Sequence, residues 1–383
     1  MFAVDVCRLP ATGGSTLVVV AGLFLLVAGV IVTRWVRRSV GRMSVVAAPL
    51  VLLGGLVLAP SVTDPCAPTT TVAPTTTVAP TTTVVSVDQN LVLEIEKMGL
   101  SPVEIDSATA ADESFLFELG LFGEVDVHVD WGDGSADDVS AAGPLLHTYT
   151  TLGRYTITVS GSLTGFGQDP LTSGDPLLGA SFLKSVRSFG ELGITSLNLA
   201  FYGSANLIDV PSTLPATVID VRGMFVGASS FNGDVSGWDT AQMTSMRAMF
   251  AGALSFNQSL DSWDTGSVTN MNGMFYFASS FNQSLGAWDI SEVVSMNSML
   301  DNSALSVDNY DATLNGWSDI QQAKQPNVVL GAAGLFFSSN GVSAHDTLTD
   351  PCGNDPSNWQ INDSGLDPNS LINNNQFHAL ACQ

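Results

Sequence analysis

The chain has 383 residues, with 12 Lys or Arg against 36 Asp or Glu and a net charge of −24. Beyond residue 60 only seven basic side chains face thirty-five acidic ones, a surface that repels phosphate backbones, so no nucleic-acid partner is expected. The length predicts two or three domains. The four cysteines (Cys7, Cys66, Cys352 and Cys382) fit no zinc spacing.

Residues 13–33 form an uncharged apolar run that would reach about 30 Å as a helix, enough to span a bilayer. Arg34, Arg37, Arg38 and Arg42 follow, and then a second uncharged run at 43–63. Basic residues before an apolar stretch at 45–58 have the form of a signal peptide, with Ala59 as a small residue at a candidate cleavage position. The alternative is a two-helix hairpin with its arginine loop in the cytoplasm. Both readings put the rest of the chain outside the cell. Leu9-Pro10-Ala11-Thr12-Gly13, followed by apolar residues and Arg37-Arg38, resembles a sortase cell-wall sorting signal. Cleavage between Thr12 and Gly13 would release everything beyond it, so the motif is not expected to anchor the folded part. We divide the start of the chain into a sorting-signal-like segment (1–35), a signal peptide or second membrane helix (36–64) and a Thr/Pro stalk (65–86). The stalk carries TTTVAPTTTVAPTTT, whose spaced prolines favour extended geometry and whose threonines cannot build a core.

From 87 to 165 the pattern is β-rich. Residues 125–130 alternate apolar and polar, Trp131-Gly132-Asp133-Gly134 gives a tight-turn signal, and Tyr155, Ile157 and Val159 share one face of a later strand. Together with His147-Thr148-Tyr149 and Gly153-x-Tyr155-Thr156, this turn resembles a polycystic-kidney-disease (PKD) domain, which implies a small extracellular β-sandwich-like module. Asp130, Asp133, Asp137 and Asp138 are weak calcium candidates, because calcium takes several oxygen ligands. Turn chemistry explains the same aspartates.

Internal repetition dominates residues 183–300. Met224, Met249, Met274 and Met299 recur every 25 residues, and so do Phe225, Phe250 and Phe275. The same step relates Phe231, Phe256 and Phe281; Asn232, Asn257 and Asn282; Trp238, Trp263 and Trp288; and Met246, Met271 and Met296. A period of this length with fixed apolar columns predicts a leucine-rich-repeat-like solenoid, each column stacking on its copy in the next repeat. The segments around 268–271 suit short parallel strands, and the Met-Phe-x-x-Ala segments suit a short helical or 3₁₀ turn. The asparagines are expected to form an internal ladder that satisfies loop backbone groups. The text 268–275 and 278–289 resembles the BspA-type leucine-rich repeat surface proteins, which implies a bacterial surface protein that binds or adheres through a solenoid face.

After Leu300 the period breaks. Ser306 is a candidate N-cap, Tyr310, Leu314 and Trp317 share a helical face, and 328–330 reads as a last strand. Residues 301–366 form a C-terminal cap and 367–383 a polar tail. Cys352 and Cys382 are a candidate disulfide if the chain is exported.

The four histidines are scattered, and neither a nucleophile elbow nor a phosphate loop is present. No enzymatic activity and no cofactor is expected. The expected fold is N-terminal membrane or export segments, then a β-sandwich-like module, then the solenoid. The expected function is binding or adhesion at the cell surface to an extracellular protein or glycan, with membrane contact through the N-terminal segments if these stay uncleaved. The alternative is a passive spacer of the envelope.

Overall fold

A computed structural model describes residues 88–98, 114–169, 174–320, 323–349 and 358–368. The sorting-like motif, both apolar runs, the Thr/Pro stalk and the Cys352–Cys382 pair lie outside the described residues.

The first part is a single antiparallel sheet. Its strands are β1 (Leu91–Lys97), β2 (Phe115–Asp130), β3 (Ala136–Val139), β4 (Gly143–Tyr149), β5 (Gly153–Phe166) and β6 (Leu183–Phe189). The order is β3-β2-β5-β1-β6, with β4 also paired to β2. Alternation explains the strands: on β5, Ile157, Val159 and Leu163 are buried, opposite Leu93 and Leu91 of β1 and Val125 of β2.

Beyond β6 the backbone makes only turns and single-residue bridges up to residue 306. The bridges run in parallel at the repeat spacing, Ser196↔Asp220, Ser245↔Asn270 and Asn270↔Ser295. Alternate N–H groups of one 25-residue segment donate to the next: Met246, Ala248, Phe250 and Gly252 bond to the carbonyls of Asn270, Asn272, Met274 and Tyr276. One step on, Met271, Gly273, Phe275 and Phe277 do the same to Ser295, Asn297, Met299 and Asp301. The stack begins on the sheet itself, where Gly165 of β5 bridges Ser196.

It ends on α1 (Val307–Ser318), capped by the Ser306 side chain, and is followed by β7 (Val329–Gly331), α2 (Val342–Thr349) and β8 (Gln360–Asn362). Trp317 of α1 donates its indole N–H to Leu285 O at 2.9 Å. Leu330 of β7 pairs with Ile361 of β8, and Met296 with Leu330.

The expected N-terminal membrane or export segments lie outside the described residues, and among the described residues no helix is long and apolar enough to cross a membrane. The expected fold class is corrected on two points. The strands form one sheet rather than two packed ones, and 183–189, assigned above to the repeats, is its edge strand. The repeats form no leucine-rich-repeat solenoid: no named strand or helix recurs in each 25-residue segment, and 268–271 contributes one bridged residue instead of a strand. The cause is local. Each segment twice enters the left-handed region, at Gly223, Ala248, Gly273 and Ser298, and again at Gly227, Gly252, Phe277 and Asn302, with φ between 53° and 69°. Such residues end a strand or helix after a few positions.

Candidate interaction surface

The conspicuous turn of the sheet follows β2. Trp131 is fully buried, its ring stacked on His147 with centroids 4.4 Å apart, and its indole N–H donates to Asp137 Oδ2 at 2.7 Å. The Tyr149 hydroxyl donates to Trp131 O at 2.9 Å. Gly132 has φ 76°, and a Cβ there would stand 2.4 Å from Thr156 O, so the turn needs glycine.

The four aspartates do not converge. Asp130 Oδ1 accepts from Gly132 N, Asp133 Oδ1 from Ser135 N and Oγ, and Asp138 Oδ1 lies 2.8 Å from His128 Nδ1. Asp133 Oδ2 meets His147 Nε2 at 2.9 Å. Burial works against the Asp133 charge, but the donors of Ser135 and His147 hold its carboxyl below the ordinary range. These are turn and ring contacts, and among the described residues no group of three or more His, Cys, Asp or Glu is placed to hold a metal ion.

In the repeats the inner columns stack ring on ring. Phe225, Phe250 and Phe275 follow at 5.5 and 5.7 Å, Phe231, Phe256 and Phe281 at 5.9 and 6.1 Å, and Trp238, Trp263 and Trp288 at 6.5 and 6.4 Å. Within a segment the two Phe columns touch, as in Phe250 against Phe256 at 4.0 Å. Met224, Met249, Met274, Met299, Met246, Met271 and Met296 are buried beside them. Each indole donates to a carbonyl of the segment before it, Trp238 to Pro211 O, Trp263 to Val235 O and Trp288 to Leu260 O. The tryptophans are thus held in the core on both counts.

The asparagine column lies at the surface. Asn232 and Asn257 are exposed and Asn282 is half-buried. Asn232 Oδ1 accepts from Asn257 N, Asn257 Oδ1 from Asn282 N, and Asn282 Oδ1 from Ser306 N, at 2.7–2.8 Å. The last link joins the column to the cap of α1.

The outward positions change along the stack. Ile219, Thr244, Thr269 and Val294 form one exposed series; Arg222, Arg247, Asn272 and Asn297 form another, with Arg222 and Asn272 half-buried. Arg222 forks onto Asp220, whose carboxyl also accepts from Ser196 Oγ. Burial opposes that charge, yet Arg222 and Ser196 hold the carboxyl below the ordinary range. The largest departure is at one turn. Where the preceding segment has Ala251 and Gly252, the next has Tyr276 and Phe277, 42% and 41% exposed and edge-to-face at 4.7 Å. Sequence reasoning followed the matching columns and passed over these two. The signal was available as an aromatic pair in a small-residue position.

Two grooves, of about 550 and 700 Å³, lie one on the sheet beside Glu118, Pro144 and Gln168 and the other between Phe189 of the sheet and Pro215 beyond it. Neither includes a repeat aromatic from the columns.

With this geometry in view, residues 195–317 match a family described as Mycoplasma protein of unknown function, DUF285. The match spans about a third of the chain and coincides with the stacked repeats and α1. No curated protein and no solved structure matches the chain.

Proposed function

We propose that the chain is an exported, non-enzymatic cell-surface protein of the BspA-like kind, which binds an extracellular protein or glycan through an outward face of its stacked repeats. The observation that carries this reading is the contrast between inner Phe, Trp and Met columns kept at every step and outward positions that change along the stack, as from Ala251-Gly252 to Tyr276-Phe277. Phe, Trp and Met columns are consumed in packing and backbone contacts and the asparagine column in inter-segment hydrogen bonds, while Ile219, Val294, Tyr276 and Phe277 stand exposed outside that packing. A scaffold of this type presents side chains from several segments side by side. The apolar runs and the Thr/Pro stretch supply the argument for export.

The test is binding of purified full-length chain to immobilised extracellular-matrix proteins and to a glycan panel, with fractionation of cells expressing it. Saturable binding to any of these and recovery outside the cytoplasm are expected. Absence of binding across the panel would favour the passive spacer, and a cytoplasmic chain would sink both.

A further inference from the structure

We propose that Tyr276 and Phe277, with Leu254 on the preceding segment, form the anchor for a positively charged segment of a partner protein, whose Lys or Arg side chains lie over the two rings. The inference rests on the binding role proposed above and names its site and the chemistry of its partner.

Three independent observations converge on this turn. The first is exposure of large apolar groups: Tyr276, Phe277 and Leu254 are each more than two-fifths exposed, beside Phe and Trp columns that are buried completely or nearly so. The second is departure from the repeat. Leu254 stands where the neighbouring segments have Ser229 and Ser279, Tyr276 where the others have Tyr202, Val226, Ala251 and Asp301, and Phe277 where they have Gly203, Gly227, Gly252 and Asn302. Leu254 is two residues from Gly252, whose N–H bonds to Tyr276 O at 2.7 Å, so the substitutions fall on adjoining segments. The third is backbone conformation. Phe277 adopts φ 56°, where Gly227 and Gly252 have 68° and 69°. A bulky residue is disfavoured there, and its exposed ring recovers little by burial. Folding alone favours glycine at this position.

Charge selects the occupant. The chain carries −24, and Asp301, half-buried with its Oδ1 accepting from Ala333 N at 2.8 Å, follows Tyr276 in the same column, its backbone O accepting from Phe277 N at 2.9 Å. A second copy of this chain would be repelled, as would a nucleic acid, whereas a cationic segment is drawn in. Ring faces attract Lys and Arg at close range.

The experiment uses the full chain and the double variant Tyr276→Ala/Phe277→Gly, which copies Ala251 and Gly252 and leaves every charge in place. The probes are a nona-arginine peptide and, as the neutral arm, maltohexaose, titrated at physiological salt. Since non-specific attraction to the acidic surface is the same in both proteins, only the difference counts. Nona-arginine should bind the variant at least about fivefold more weakly, with the melting temperature of the variant unchanged or raised. Equal affinity for nona-arginine would overturn the proposal, as would a selective loss of maltohexaose binding or a clear drop in melting temperature. If both proteins bind the same matrix protein or glycan from the wider panel equally well, the binding role stands and this site does not.

Discussion

Phe256 lies between two copies of itself, with Phe231 on one side, Phe281 on the other and Phe250 packed against its face. Truncating a buried Phe to Ala costs about 3–5 kcal/mol, and here both inter-segment interfaces lose contacts. Phe256→Ala is expected to lower the melting temperature sharply, while Asp261→Ser, at an exposed position with no repeat column, should stay within about 0.5 kcal/mol. Thermal melts of the two variants decide it: equal small effects would mean the Phe column contributes little. A second residue argues the opposite direction. Ala228, Ala253 and Ala278 form a fully buried column, and Ser303 takes the fourth place with its hydroxyl buried and unpartnered among the described residues. A buried hydroxyl without a partner costs about 1–3 kcal/mol. Ser303→Ala should therefore raise stability, measurable as a higher urea midpoint with an unchanged slope. A lower midpoint would show that the hydroxyl has a bonding role.

The junction of the repeats with α1 is the clearest case at the level of elements. The helix takes the place of a further segment: Trp317 bonds to Leu285 O as the column tryptophans bond to the segments before them, and Asn309 Nδ2 reaches Asn282 O at 2.8 Å. Close approach is possible because two glycines meet. A Cβ on Gly316 would stand 2.1 Å from Gly286 O, and one on Gly286 would stand 2.4 Å from Ala312 O. In an exposed helix, Gly→Ala stabilises by about 1 kcal/mol. Gly316→Ala should instead destabilise, because the new methyl drives the helix off the preceding segment. A stabilised variant in chemical denaturation would mean that α1 sits further from the stack. The N-cap at Ser306 and the buried face Tyr310, Leu314 and Trp317 were legible in the sequence, since capping and 3.6-residue periodicity are local signals. The need for glycine at 316 was not, because it depends on a backbone thirty residues earlier.

Across the whole described unit, sheet and stack share backbone bonds. Phe166 N donates to Ser196 O at 3.0 Å, Leu163 N to Leu192 O at 2.9 Å and Val186 N to Asp209 O at 3.0 Å. Phe166 and Phe189 of the sheet also approach Phe201, which continues to Phe225. Repeat arrays gain stability from nearest-neighbour interfaces, so the sheet serves as the first neighbour of the stack. Calorimetry is expected to show one transition for sheet and repeats together, with calorimetric and van't Hoff enthalpies in agreement. Two separated transitions would mean that the junction at 163–201 does not couple them.

The sequence by itself determined the 25-residue step, the acidic surface and the strand alternation around the Trp131 turn, because identity at a fixed spacing, charge count and two-residue periodicity are properties of the chain alone. It also suggested two things that tertiary structure decided otherwise. The PKD-like text implied a two-sheet module ending at 165, but whether a strand pairs within a sheet or stacks on another depends on distant partners, and Leu183–Phe189 found β1. The period implied a short strand and a helical or 3₁₀ turn in every repeat. Turns closed by bonds three residues apart are present, as Ala253 N to Phe250 O, but the strand shrinks to a bridged residue. The left-handed residues Ala248 and Phe277 are held by bonds to the next segment, such as Ala248 N to Asn272 O at 2.8 Å. No local propensity favours Ala or Phe in that region. The apolar columns set which residues must stack, and the inter-segment hydrogen bonds set what backbone shape they stack in.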